Sequence, residues 1–412
     1  MPDVSFTNLL VVAVIAFLAP LTLGFAPRLR FPSVVLEIVA GVVVGPQGLG
    51  WVQVDLPVSI VALLGLAFLL FLAGLEIDVD RLRGAVLRLA VLGYLVTLVL
   101  GVGTGLALHA AGWVRSPLLV AVALSATSLG LVVPVLKDAG RLESALGQTT
   151  VAAASVADFA AIVLLSLLFS GSQGSTGSRL LLLGLFAALV ATTALAVSFV
   201  ARSRRLDMTL TRLQDTTAEI RVRAAVVLLV AFVALAERFG LESILGAFLA
   251  GAVVGLLDRN ATSHPHFRLK LEAIGYGFLI PVFFVTSGLR LDLGGLLDDP
   301  SALARVPVFV LALLVVRGLP ALLFGRLFDR RSVVAAGLLQ ATSLPFIVTA
   351  TQIGVATGLM TGVTAAAMIC AGLLSVVLFP AVALGLLRSS TPEPDLGPAT
   401  GRGTSRSARP AR

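Results

Sequence analysis

One carboxylate stands where the chain is otherwise apolar. Asp158 lies near the middle of the run 147–170, which is long enough to cross a bilayer and carries no other charge. A charged group at that depth costs at least ~2.5–3.5 kcal/mol on insertion scales, so such groups are rare and functional by default. Small residues precede it (Ala152, Ala153, Ala154, Ser155 and Ala157), leaving room for another backbone or an ion. The chemistry this offers is exclusive occupancy by a proton or by a metal cation. Burial disfavours the charged carboxylate, so the two compete for one group. Alkali cations want oxygen ligands. Thr127, Ser128 and Ser155 are the candidates, with Ser155 three residues before Asp158 and therefore on the same helix face. The competing reading of Asp158 is a structural bond between helices.

Arg317 also lies deep in an apolar run and stays charged at any relevant pH. It is read as a fixed charge compensating Asp158 or broken helix ends, with a purely structural role equally open. Glu76 falls in a group with Asp78, Asp80, Arg81 and Arg83, which reads as a solvated charge cluster.

The elements that position these residues follow from composition. The 412 residues are 58% apolar and 13% charged, with mean hydropathy +1.04. That excludes an ordinary soluble domain and gives an all-α polytopic membrane protein. The net charge of +8 is spread through short loops between apolar runs, which indicates membrane orientation and not nucleic-acid binding. One cysteine rules out an internal disulfide framework, and three histidines without a CxxC argue against a transition-metal site. No cofactor is expected.

At about 20 residues per crossing, about 13 transmembrane helices are expected, near 5–24, 33–50, 57–76, 85–112, 116–136, 144–170, 179–201, 220–239, 241–257, 273–290, 303–325, 332–354 and 359–387. The domains read as a first half at 1–201 (first repeat about 5–170), a cytoplasmic linker at 202–219, a second repeat at 220–387 and a disordered tail at 388–412. No regulatory domain is expected after the last helix. Alternating the loops puts most of the 30 basic residues on one side, which predicts an N-terminus outside and a C-terminus in the cytoplasm.

The halves share strings. ATSL occurs at 126–129 and 341–344, GLEID at 74–78 answers GLRLD at 288–292, and AGVVVG at 40–45 answers AGAVVG at 250–255. The spacing is nearly constant. Seven helices separate each position from its partner, an odd number, so the repeat is inverted. Each ATSL lies inside an apolar run and is followed by helix-disturbing residues, Gly130 and Pro134 in one copy and Pro345 in the other. Two interrupted crossing helices are therefore expected, with Thr342, Ser343 and Pro345 supporting the crossing. The second half reads AAAMICAGLLSVVLF where the first has Asp158, so only one copy supplies the carboxylate.

Together the strings PSVVLEIVAGVVVGPQ (32–47), LAFLLFLAGLEIDV (66–79), SATS (125–128), VADFAAIV (156–163) and PVFFVTSGLR (281–290) resemble the cation/proton antiporter superfamily. The nearest branch holds bacterial sodium/proton antiporters and glutathione-gated potassium efflux systems. The resemblance covers about 5–387. It implies a sodium/proton antiporter-like fold of thirteen helices, with a core domain that moves against a dimerisation domain in an elevator-like cycle, and hence a homodimer. The family's functional aspartate falls on Asp158, and its basic residue in the antepenultimate helix falls on Arg317. The position before the aspartate, commonly Asp, Asn or Gln, is Ala157 here. That departure favours one-for-one exchange.

The expected function is a secondary monovalent cation (Na+ or K+)/proton antiporter in the cell membrane, with protons, cations and lipid as partners. The alternative is a sodium-coupled organic-solute symporter on the same kind of scaffold. An enzyme is not expected, since Asp158 has no paired catalytic group at its depth.

Overall fold

The computed structural model describes residues 5–25, 32–76, 84–169, 219–257 and 266–388, with 177, 181–182 and 184–192. Most of the expected helix 179–201, the linker at 202–218, the tail beyond 388 and the acidic and basic residues at 78–83 lie outside these. Every regular element among the described residues is a helix, and none is a strand. Among the described residues nine spans are long and apolar enough to cross a membrane, two of them, Pro117–Lys137 and Arg330–Ala356, each made of two helices in line, and Ser33–Val44 and Ser243–Leu257 are shorter apolar helices. Apolar side chains such as Phe6, Phe17, Leu63 and Val99 stand exposed on their surfaces. In water that would be unfavourable, whereas in hydrocarbon it is the expected outer face of a multi-pass membrane protein.

The helices are α1 (Thr7–Phe25), α2 (Ser33–Val44), α3 (Leu56–Leu75), α4 (Gly84–Ala110), α5 (Pro117–Ser125), α6 (Leu129–Asp138), α7 (Ala145–Phe169), α8 (Ile220–Arg238) and α9 (Ser243–Leu257). Then come α10 (Phe267–Leu289), the short α11 (Leu293–Asp298), α12 (Pro300–Arg326), α13 (Arg330–Gln340), α14 (Pro345–Ala356) and α15 (Gly362–Arg388). Several starts are fixed by an oxygen cap followed by proline. Asp55 accepts from Val58 N at 3.0 Å ahead of α3, and Ser116 accepts from Leu119 N at 3.3 Å ahead of α5. Proline at the first turn sacrifices no bond, because those N–H groups have no intrahelical partner. The second helix, expected to run to residue 50, ends at Val44. Gly45 is extended there, as the residue before Pro46 prefers to be.

The helices form two bundles. One contains α1, α2, α3, α8, α9 and α10; the other contains α4 to α7 and α12 to α15. Water does not drive helix association within a bilayer, so close approach depends on small residues. The repeated strings supply them. A Cβ on Gly41 (α2) would strike the carbonyl oxygen of Val285 in α10, and one on Gly288 (α10) would strike that of Ile38 in α2. Likewise a Cβ on Gly251 (α9) would strike Phe71's carbonyl in α3, and one on Gly74 (α3) would strike Phe248's in α9. In each pair, the glycine of an AGxVVG string from one half meets the glycine of a GLxxD string from the other.

Two helices carry wide π turns, Gly275–Leu279 in α10 and Leu314–Gly318 in α12. Such turns add a residue to the helical circuit and re-aim side chains, commonly at functional positions.

Candidate functional site

The two ATSL segments are breaks in crossing helices. Between α5 and α6 the chain is extended at Ala126 and Ser128. Between α13 and α14 it leaves helical geometry at Leu344, and Pro345 starts the next helix. Gly130 and Pro134, expected as the disturbing residues of the first break, both fall inside α6. The break precedes them and is held by bonds made across the site. Ser128 N donates to the Thr342 carbonyl at 2.9 Å, tying one break to the other.

Asp158 closes the remaining gap. Its Oδ1 accepts from Thr127 N at 3.1 Å and its Oδ2 from Leu129 N at 3.4 Å. Leu129 is the first residue of α6, so the carboxylate sits at a helix N-terminus, where free N–H groups and the helix dipole favour negative charge. Asp158 is half-buried and lines a cleft of ≈ 520 Å³, its open mouth included. The second bundle contributes Thr127, Ser128, Leu129, Gly130, Asp158, Ile162, Pro345 and Phe346 to the walls. The first contributes Leu69, Leu70 and Ala73 from α3, Glu76 just past its end, and Tyr276 from the π turn of α10. The cleft therefore lies between the bundles, with the carboxylate on one wall.

Arg317 is 1% exposed and projects from the π turn of α12. Its Nε donates to Thr127 Oγ1 at 2.8 Å, joined by Nη2, and its Nη1 donates to Thr97 Oγ1 at 3.2 Å. Thr127 Oγ1 in turn donates to the Gln340 carbonyl at 2.6 Å, at the end of α13. The guanidinium thus holds both broken helices through one hydroxyl. Among the described residues it makes no ion pair with Asp158. Its hydrogen bonds go to the hydroxyls of Thr127 and Thr97, beside the broken helices.

The expected residues divide accordingly. Asp158, Thr127, Ser128 and Pro345 line the cleft together. The Thr127 hydroxyl is engaged with Arg317 and with the Gln340 carbonyl. Ser155 is 5% exposed and is not part of the cleft wall. Thr342 joins the crossing through its carbonyl, while its hydroxyl donates back to Leu338 O at 3.1 Å. Ser343 lies behind: its N donates to Ser375 Oγ at 3.3 Å, and the single hydroxyl proton of Ser375 is divided between Gly372 O at 2.7 Å and Ser343 O at 3.2 Å. A serine on α15 thus satisfies the second break where a carboxylate on α7 satisfies the first.

Glu76 departs from the solvated cluster expected for it. It is half-buried, lines the cleft and faces Arg268 at 3.8 Å, and Arg268 also pairs with Glu272 at 2.9 Å. Sequence reading also passed over Tyr276 and Thr97. The glycines flanking Tyr276 hinted at an irregular turn, but nothing local marked the pairing of Thr97 with Arg317, 220 residues away.

A family model described as "Sodium/hydrogen exchanger, transmembrane" matches residues 13–384. Over 373 residues the chain is 34% identical to the "Putative Na(+)/H(+) antiporter YjbQ" of Bacillus subtilis (strain 168), covering 86% of this chain and 58% of that protein. It is 29% identical over 376 residues to the "Na(+)/H(+) antiporter" of Enterococcus hirae, covering 86% of this chain and 91% of that one. It is 28% identical over 360 residues to the "Na(+)/H(+)-K(+) antiporter GerN" of Bacillus cereus, covering 85% and 88%. Among solved structures, the sodium proton antiporter MjNhaP1 from Methanocaldococcus jannaschii at pH 8 superposes with TM-score 0.68 at 19% identity, covering 92% of this chain and 98% of that one. At that identity the likeness is one of fold.

Proposed function

From the premise that the chain belongs to the sodium/hydrogen exchanger family, which its match over residues 13–384 establishes, we propose that it exchanges Na+ or K+ for protons by alternating access, with Asp158 as the shared carrier. The observation that carries this reading is the position of that carboxylate: on the wall of a cleft between two bundles, at the point where both helix breaks meet.

The chemistry follows from the surroundings. Two backbone N–H donors and a helix N-terminus stabilise the charged carboxylate, and the apolar walls (Leu69, Leu70, Ala73, Ile162 and Phe346) disfavour it. Either a bound proton or a bound cation resolves that conflict, so the group is seldom bare when it crosses. The Asp158 carboxylate and oxygens of Thr127 and Ser128 form the cation's ligand set. Arg317 stays fixed in both cases and keeps the carbonyl ends of the crossing in place. Ala157 is fully buried and supplies no second carboxylate beside Asp158, which favours one cation per proton. The same apolar walls offer an organic solute few polar contacts, which weighs against a symporter. The names of the relatives support both Na+ and K+ as cations.

We place the cleft's mouth toward the end of the bundles where Glu76, one of its lining residues, faces Arg268 at 3.8 Å, the end to which Lys137, Arg141, Arg326 and Arg330 also fall by helix order. The positive-inside rule makes that end cytoplasmic. Movement of the second bundle against the first would carry Asp158 toward the other face. A homodimer through the first bundle fits this cycle, because one body must stay still while the other moves.

The test is Asp158→Asn in proteoliposomes carrying an internal pH dye, challenged with Na+, K+ or Li+. Wild type responds to at least one cation with a pH change. The variant inserts and folds but gives none. Cation-driven pH change persisting in the variant removes Asp158 from the role given to it.

A further inference from the structure

We propose that the hydrogen bond from Gln352 Nε2 to Ser287 Oγ, 3.1 Å long, is a latch that closes the face opposite the cleft and opens each time Asp158 changes sides. This rests on the alternating-access reading above. The bond joins α10 of the first bundle to α14 of the second, so it spans the seam along which the bundles would slide.

Its place is fixed by helix geometry. The cleft is lined by Tyr276 on α10 and by Pro345, the first residue of α14. Ser287 lies eleven residues beyond Tyr276, about 16 Å along the helix, and Gln352 seven beyond Pro345, about 10 Å. Both helices run away from the cleft as they run forward, so the bond lies on its far side. Elsewhere α14 packs on α15 and α5, within its own bundle. The Gln352–Ser287 bond is thus a polar tie between two elements that are otherwise committed to different bodies.

The bond is built to be reversible. Ser287 Oγ also donates to Phe283 O at 2.7 Å, within its own helix. When Gln352 leaves, that hydroxyl keeps its donor bond and forfeits one accepted bond. Ser287 is 2% exposed, but Gln352 is half-buried and can turn to water. Thr286, the residue before Ser287 on α10, has a buried Oγ1 with no hydrogen-bond partner. The tie across the seam is a single polar bond with one half-buried partner. A seam meant to stay shut would be apolar or fully paired.

The experiment uses the full chain with Cys370→Ser and a reporter, Thr286→Cys, in sealed vesicles. An impermeant maleimide is added from the face opposite the cleft's mouth. With the latch intact the reporter is buried and labels slowly. Gln352→Ala and Ser287→Ala each raise its labelling rate roughly two- to tenfold, the range one net hydrogen bond gives. The double variant rises no further than either single one, and Ser287→Thr, which keeps the hydroxyl, stays near the parent rate. Unchanged labelling in Gln352→Ala, or effects of the two changes that multiply, overturns the latch. If Ser287→Ala fails to insert, the half-buried Gln352 arm still decides. The pH-dye assay on the parent is read separately. Exchange with unmoved labelling refutes the latch alone, and absent exchange refutes the transport reading whatever the labelling shows.

Discussion

Thr127 does two jobs that pull on the same residue. Its backbone N–H donates to Asp158, and its hydroxyl accepts from Arg317 while donating to Gln340 O. Arg317 is 1% exposed, so removing its acceptor strands part of a buried charge. Hydrogen bonds to charged groups are worth about 1.5–3 kcal/mol. Thr127→Val, close in shape but lacking the hydroxyl, is expected to lower the melting temperature of the detergent-solubilised protein by several degrees. It should also slow exchange, because the Asp158 pocket is anchored through this residue. Thr127→Ser restores the hydroxyl and most of both properties. A Val variant as stable as wild type in a thermal melt would show that Arg317 finds other partners.

Among elements, the glycine contacts decide how near the helices of the first bundle come. The carbonyl of Phe71 occupies the space a Cβ on Gly251 would need, and the carbonyl of Val285 does the same for Gly41. Both obstacles are backbone, which cannot rotate aside. Gly251→Ala and Gly41→Ala are each expected to cost about 1–3 kcal/mol, the usual range for overpacking. Gly103 faces open space within α4, so Gly103→Ala is neutral or slightly stabilising, since alanine is the better helix former. Thermal melts of the three variants check this. Equal effects at Gly251 and Gly41 would also fit our reading that the two contacts are related by the inverted repeat.

For the whole molecule, that reading assigns the first three crossings of each half to one bundle and the last three to the other. Each bundle is then made of equivalent pieces from both halves, which is how one rocking motion can expose the site to either face. The orientation gives a prediction at this scale. In a Cys370→Ser background, Glu143→Cys lies at the basic end and Thr357→Cys at the opposite end, and both positions are exposed. Impermeant maleimide is expected to label Glu143→Cys only from the cytoplasmic side and Thr357→Cys only from outside. The reverse pattern would invert the proposed topology.

Apolar run length and loop charge, both local quantities, were enough to derive a multi-pass helical protein, and an isolated carboxylate in such a run was enough to single out Asp158. The repeated ATSL located both breaks because a helix interruption leaves a short-range mark. Folding decided the rest. Pro134 is the obvious breaker by residue type, yet the chain breaks earlier, at Ala126 to Ser128. There Asp158 and Thr342, remote in sequence, accept the freed N–H groups. Glu76 looked solvated beside its charged neighbours and instead faces the cleft, because α10 brings Tyr276 and Arg268 against it. Ser155 shares a helix face with Asp158 in principle, but the packing around α7 leaves it off the cleft wall. The inventory of groups able to bind a proton or an ion is written along the chain. Which of them share one cavity depends on contacts between helices hundreds of residues apart, and only packing selects those.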